Sequence, residues 1–218
     1  MKNKNFLSIE TSLSRIFLVL SFKEKLYSIN KLVDNSIEVE LNVLISEILL
    51  TSKSNFSDLN FILVSLGPGS YTGSRVGLAA AKAISMSLKI PLLGYSNFDA
   101  IYFQAKINKL LLENVEVGIL IKAHKKELYY QKYEKKNKRE NSVMSILSFM
   151  SLNRKNNFPN IIIGNVKLEL SFNNYVYCMP YKESLVSVFQ GLYKSFLEGN
   201  SSNLEPYYIN GHYAKKNE

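Results

Sequence analysis

Apolar positions along this chain recur in two rhythms that separate strands from helices. Phe6–Ile9 and Ile16–Phe22 are short apolar runs joined by Glu10-Thr11-Ser12-Leu13-Ser14, a polar, proline-free link that suits a tight hairpin. Leu26–Val33 predicts a third antiparallel strand and completes a meander. From Ile37 to Leu50 the rhythm changes: Leu41, Leu44, Ile45, Ile48 and Leu49 keep helical spacing. Val39, Val43 and Leu50 lie off that stripe and are apolar too, and a helix apolar on most sides is either buried or meets a partner.

Phe61–Leu66 then reads as a buried strand that breaks into Gly67-Pro68-Gly69-Ser70-Tyr71-Thr72. A helix of small residues runs from this loop to about Lys89, and Pro91, which cannot continue a helix, opens the strand Leu92–Tyr95. Ser96 or Asn97 can cap the next helix, Phe98–Glu113. Val115–Lys122 and Glu127–Tyr133 predict strands around a basic turn, Val143–Met150 a short helix, and Ile161–Gly164 and Tyr175–Met179 further strands. Ser184–Glu198 is an amphipathic helix with Leu185, Val188, Phe189, Leu192 and Phe196 on one side, stopped by Gly199. Leu204–Ile209 reads as a docked extended tail. The order predicts an α/β protein of two unequal lobes, residues 1–110 and 111–218.

Composition narrows the classes. A chain of 218 residues that is 46% hydrophobic has enough apolar surface for a core. Its single cysteine, Cys178, cannot form an internal disulfide, and its apolar surroundings predict an inert buried thiol. Glu10 and Arg15 interrupt the apolar N-terminus and no stretch is long enough to span a membrane, so a cytoplasmic protein with no membrane partner is expected. The net charge is +9, and residues 122–139 hold eight basic against two acidic residues. That cluster is either a solvated hairpin tip or a surface attracted to RNA phosphates.

The glycine loop is the main candidate for chemistry. A Walker loop needs GK before Ser or Thr, but Gly73 is followed by Ser74 and Arg75. A dinucleotide fingerprint needs its third glycine one residue earlier than Gly73. A weak anion site built on Gly67, Gly69, Ser70, Thr72 and Gly73 remains physically available, because a helix start offers free N–H groups. Gly73, Gly77, Ala81 and Ser85 recur every four residues on one helix face. Glycine inside a helix costs on the order of 1 kcal/mol relative to alanine, so close approach of another helix, or else packing on the chain's own strands, is expected to offset it. Val76, Ala80, Ala83 and Leu88, with Ile84 nearby, offer a second face for packing on the chain's own strands, and having two packing faces favours contact with a partner helix. His124 and His212 are far apart and lack zinc spacing, so no metal and no catalytic residue are expected.

The run SLGPGSYTGSRVGLAAAKAIS, preceded by IETS and followed by IPLLGYSNFDAI, resembles the TsaB (YeaZ) family. LIKAHKKELYYQKY and LEPYYINGHYAKK extend the likeness into the second half. The resemblance implies an actin-like (ribonuclease-H-like) two-lobed fold with a reduced second lobe. It implies a non-catalytic role in making N6-threonylcarbamoyladenosine (t6A) in tRNA, beside the catalyst TsaD and the ATPase TsaE, with a homodimer when alone, tRNA contact only within the complex, and no cofactor. Pairing through first-lobe helices would use Leu41, Leu44, Ile45 and Ile48 with Gly73, Val76, Gly77, Ala80, Ala81, Ile84 and Ser85. Three positions depart from the family pattern: Glu10 and Lys122 stand where acids (Asp) are usual at strand ends, and Ile37-Glu38-Val39 replaces a more polar helix start. The alternative reading is an actin-like nucleotide-binding enzyme with a phosphate on the Gly67–Gly73 loop.

Overall fold

The computed structural model describes residues 4–32, 36–111, 116–123, 127–133, 139–145, 161–166, 175–200 and 204–207. The first sheet holds β1 (Phe6–Glu10), β2 (Arg15–Phe22), β3 (Lys25–Leu32), β4 (Phe61–Ser65) and β5 (Leu92–Tyr95) in the order β3-β2-β1-β4-β5. The meander pairs antiparallel, while β1–β4 and β4–β5 pair parallel. The parallel pairs are reached through crossover helices α1 (Ile37–Ser52) and α2 (Tyr71–Leu88). Helix α3 (Asn97–Ile107) leads on to the second sheet: β6 (Val117–Lys122), β7 (Glu127–Tyr133), β8 (Arg139–Ser145), β9 (Ile161–Gly164) and β10 (Tyr175–Tyr177). Its order, β10-β9-β6-β7-β8, repeats the first sheet with shorter parallel strands. The fold is thus the double-lobed α/β architecture expected, with a reduced second lobe.

Every residue of β1 and β4 is buried, because helices cover both faces of the first sheet. Leu7, Ile9, Leu18, Leu20, Ile62 and Val64 face α1 and α2. Their neighbours Phe6, Phe17, Val19, Phe61 and Leu63 face α4 (Lys182–Leu197) through Leu185, Val188 and Phe189. The rings of Phe6 and Phe189 lie 4.6 Å apart, and Phe61 meets Phe189 edge-on at 5.4 Å. Helix α3 instead turns Phe98, Ile101 and Ala105 onto the second sheet, against Val117, Ile119, Tyr129 and Ile163. The last helix therefore covers the first sheet and α3 the second, which ties the two halves of the chain together.

Two elements differ from the sequence reading. Val143 and Met144 are not helical but pair with Tyr129 and Leu128 across the β7–β8 hairpin, and residues 146–150 of that expected helix lie outside the described ones. Val143 and Met144 fit either rhythm, and the open edge of β7 decides between them by offering backbone partners. Helix α3 stops at Ile107 rather than Glu113, with Lys109 in the left-handed region at φ 56°. The tail is docked at Tyr207, whose N–H donates to the Leu66 carbonyl at 2.6 Å, while residues 208 and 209 lie outside the described ones. No helix among the described residues is long and apolar enough to cross a membrane.

Candidate partner surface and inter-lobe cleft

Most of the β1–β2 turn is buried: Thr11 and Ser12 are each 3% exposed, and Ser14 alone in the turn faces solvent. The glycine loop lies directly on it. Ser70 N donates to the Ser12 carbonyl at 2.7 Å, and Thr11 Oγ1 donates to the Gly73 carbonyl at 2.6 Å. A Cβ on Gly69 would collide with the Ser12 carbonyl, one on Gly73 with the Thr11 carbonyl, and one on Gly77 with Thr11 Oγ1. Gly67 needs its glycine for another reason, a φ of 95°. Asn97, fully buried, fastens the arrangement: its Nδ2 donates to Ser12 Oγ at 2.7 Å and to the Pro68 carbonyl at 2.9 Å, and its Oδ1 accepts from Ser65 Oγ at 2.7 Å. Sequence reasoning saw Asn97 only as a helix cap. Its position just after a buried strand, opposite the loop, was the available signal, and Ser96 is the actual cap.

Glu10 is equally engaged. Its Oε1 accepts from Ser12 N at 2.5 Å, Ser12 Oγ at 2.9 Å and Leu13 N at 2.9 Å, while Oε2 meets Arg15 Nε at 3.4 Å. Arg15 in turn donates to the Pro180 carbonyl at 3.0 Å and lies over the Phe17 ring. The strand-end carboxylate thus closes its own turn.

Beyond the turn lies a cleft of about 320 Å³. Ser12, Ser14, Gly69, Ser70 and Thr72 form one wall, and Lys122, Ala123 and Asn165 the other. Of the expected anion loop, Gly69, Ser70 and Thr72 reach this cleft, and Gly67 and Gly73 do not. The loop's N–H groups are partly committed, Gly73 N to Ser70 Oγ and Ser74 N to the Ser70 carbonyl. His124 and five of the eight basic residues of segment 122–139 fall outside the described residues. Lys132 is described and pairs with Glu116 at 3.2 Å.

The expected partner surface is corrected face by face. Leu41, Leu44, Ile45 and Ile48 are all at most 5% exposed and belong to the chain's own core. Gly73, Gly77 and Ala81 face the β1 strand and its turn rather than outward, so the close approach their spacing predicted is internal. Val76, Ala80 and Ile84 are half-buried at the margin of the same core, and Ser85 Oγ closes the helix end on the Ile90 carbonyl. The outward face is made of other residues. On α1, Val39, Val43 and Leu50 are 64%, 60% and 81% exposed along one stripe. On α2, Ala79, Ala83 and Met86 are exposed beside Val76 and Ala80. Acidic Glu38 and Glu47 flank the α1 stripe, and basic Arg75 and Lys82 flank that of α2.

Cys178 is buried as expected, and burial pushes its thiol up to about 11.

The family model for TsaD, described as tRNA N6-adenosine threonylcarbamoyltransferase, matches residues 31–186. The chain belongs to the TsaD family. Within it, a Buchnera aphidicola (subsp. Acyrthosiphon pisum) relative named tRNA threonylcarbamoyladenosine biosynthesis protein TsaB is 33% identical over 127 residues, 58% of this chain and 56% of the relative. The Haemophilus influenzae protein of the same name is 28% identical over 130 residues, 60% and 54% of the two chains. The match thus spans little more than half the length of these TsaB relatives. YeaZ from Pseudomonas aeruginosa shares the fold, with a TM-score of 0.68 at 16% identity over 94% of this chain and all of that one. A second Pseudomonas aeruginosa structure, an uncharacterized protein similar to peptidase YEAZ, gives 0.72 at 16% identity, over 95% of this chain and all of that one. The TsaB resemblance seen in the sequence is therefore supported, inside the TsaD family.

Proposed function

We propose that this chain is a non-catalytic component of t6A formation in tRNA, acting in the cytoplasm. It pairs with a TsaD-type transferase, stabilises it, and assembles with it and a TsaE-type ATPase. The observation that carries this reading is the exposed apolar face of α1 and α2, centred on Val39, Val43, Leu50, Ala83 and Met86. Large apolar side chains grouped on one surface signal an interaction site. Residues 1–110 carry that face, and residues 111–218 form the smaller lobe and send α4 and the tail back onto the first. The same face serves a homodimer when the partner is absent, since the acidic flank of α1 complements the basic flank of α2 in a second copy. Glu10 supports the non-catalytic part of the reading, because its carboxylate is already held by four donors.

The test is co-purification with the TsaD of the same host, with t6A measured in tRNA. Val43→Glu combined with Ala83→Glu is expected to abolish both pairing and modification while leaving the monomer folded. Pairing that survives the double variant would overturn the proposal. The cleft favours one alternative, a nucleotide-binding enzyme that seats a phosphate between Ser70, Thr72 and Lys122. Calorimetry with ATP and magnesium separates the two: heat of binding lost in Lys122→Ala would support the alternative.

A further inference from the structure

Gln131 sits in the middle of β7, is 3% exposed, and makes no hydrogen bond to any described residue through its side chain. A carboxamide carries two donors and an acceptor with two lone pairs, and here these atoms keep just enough access to the cavity for water or a ligand to meet them. The side chain does not end in packed core. It lines a cavity of about 240 Å³ between the lobes, with Leu66 and Leu192 as apolar walls and Tyr95, Ser96, Asp99 and Tyr207 completing the lining. The tail is tied there, since Tyr207 N donates to the Leu66 carbonyl. Asp99 is held in place by the Tyr133 hydroxyl at 2.9 Å.

The lining selects the chemistry of an occupant. No Lys, Arg or His lines the cavity and one carboxylate does, so phosphates and carboxylates are disfavoured. Sugars need several polar partners, whereas the Tyr95 and Ser96 hydroxyls and the Asp99 carboxylate are already engaged with Ser8, Phe98 N and Tyr133. A flat, neutral heterocycle satisfies each wall: its faces meet the apolar side chains and the tyrosine ring, and its edge meets the amide. Glutamine pairs bidentately with an adjacent donor and acceptor, as on the N6/N7 edge of adenine, and aromatic rings stack on bases without regard to sequence. We propose that this cavity binds a neutral nucleobase-type heterocycle, read on its edge by the Gln131 carboxamide and covered by Tyr207.

Adenosine is the probe, with AMP as the charged comparison and the full chain as the protein. Titration followed by NMR should shift the Gln131 side-chain amide resonances, and calorimetry should give weaker binding for AMP than for adenosine. Gln131→Met keeps the side-chain volume and removes the unmatched polar atoms. It should fold, melt no lower than the parent protein, and bind adenosine about tenfold or more weakly. Tyr207→Ala retains the backbone tie to Leu66 and should also weaken binding about tenfold. It keeps the test decisive should the methionine variant fail to fold. Gln131 resonances that stay still at millimolar adenosine would overturn the proposal and leave a cavity that holds water only. Adenosine binding of parent strength in either folded variant would overturn it as well, by placing the ligand elsewhere.

Discussion

Thr11 Oγ1 donates to the Gly73 carbonyl at 2.6 Å, across the line where the glycine loop lies on the β1–β2 turn. That contact exists only because the residue at 73 has no side chain, as the next carbonyl, that of Thr11, occupies the space a Cβ would take.

Gly73→Ala and Gly191→Ala therefore have opposite signs. Both lie in helices, where alanine is intrinsically better by roughly 1 kcal/mol. At Gly191 a Cβ meets nothing within 4 Å, so the variant should gain up to about 1 kcal/mol. At Gly73 the obstacle is backbone, which cannot rotate away, and overpacking costs of about 1–3 kcal/mol or more outweigh propensity. Urea unfolding midpoints of the two variants check both signs.

Glu10 and Arg15 form a buried pair that also joins the turn to Pro180. Removing one partner leaves the other buried with fewer partners, so Glu10→Gln should destabilise by about 3–5 kcal/mol. Arg15→Met in the same background should cost much less than it does alone. A double-mutant cycle reads this coupling, and purely additive losses would contradict it.

The two faces of α1 should respond to substitution in different assays. Ile45→Ala opens a cavity in the first core and should cost about 2–5 kcal/mol of stability. Val43→Glu, on the outward stripe, should change monomer stability by no more than about 0.5 kcal/mol. Its effect should appear instead as loss of dimer or of partner binding, read by sedimentation and pull-down.

Cys178 should resist alkylation while the protein is folded. Burial raises its thiol from 9.0 to about 11, which lowers the thiolate fraction near pH 8 about a hundredfold before access is considered. Iodoacetamide labelling should be slow in buffer and fast in urea. The linkage follows the same direction. With the folded value raised, the contribution to stability is whole below pH 9 and is lost as pH rises through about 11.

Much of the architecture was legible in the residues. The near-continuous apolar runs of β1, β2 and β4 and the stripe Leu41, Leu44, Ile45, Ile48 identified elements correctly, because a strand covered on both faces reads as a continuous run and a helix buried on one face leaves a periodic trace. Val143 and Met144 misled because a few apolar residues fit either rhythm, and the neighbouring strand makes the choice. Gln131 left no trace at all, since a glutamine in a strand reads the same whether its amide meets water, a partner or a cavity.

By itself the sequence determined that a strand, a glycine loop and a small-residue helix follow one another, and that something approaches that helix closely at Gly73 and Gly77. It also determined that α1 is apolar on more than one side. Which side faces inward, and what does the approaching, only the tertiary structure decided. Periodicity records that a face is apolar or small, but not whether the atom opposite belongs to the same chain. Here that atom is the carbonyl of Thr11, reached because β1 pairs with β4 and brings their ends side by side. Once those glycines are satisfied from within, Val39, Val43 and Leu50 are left as the apolar surface turned toward solvent.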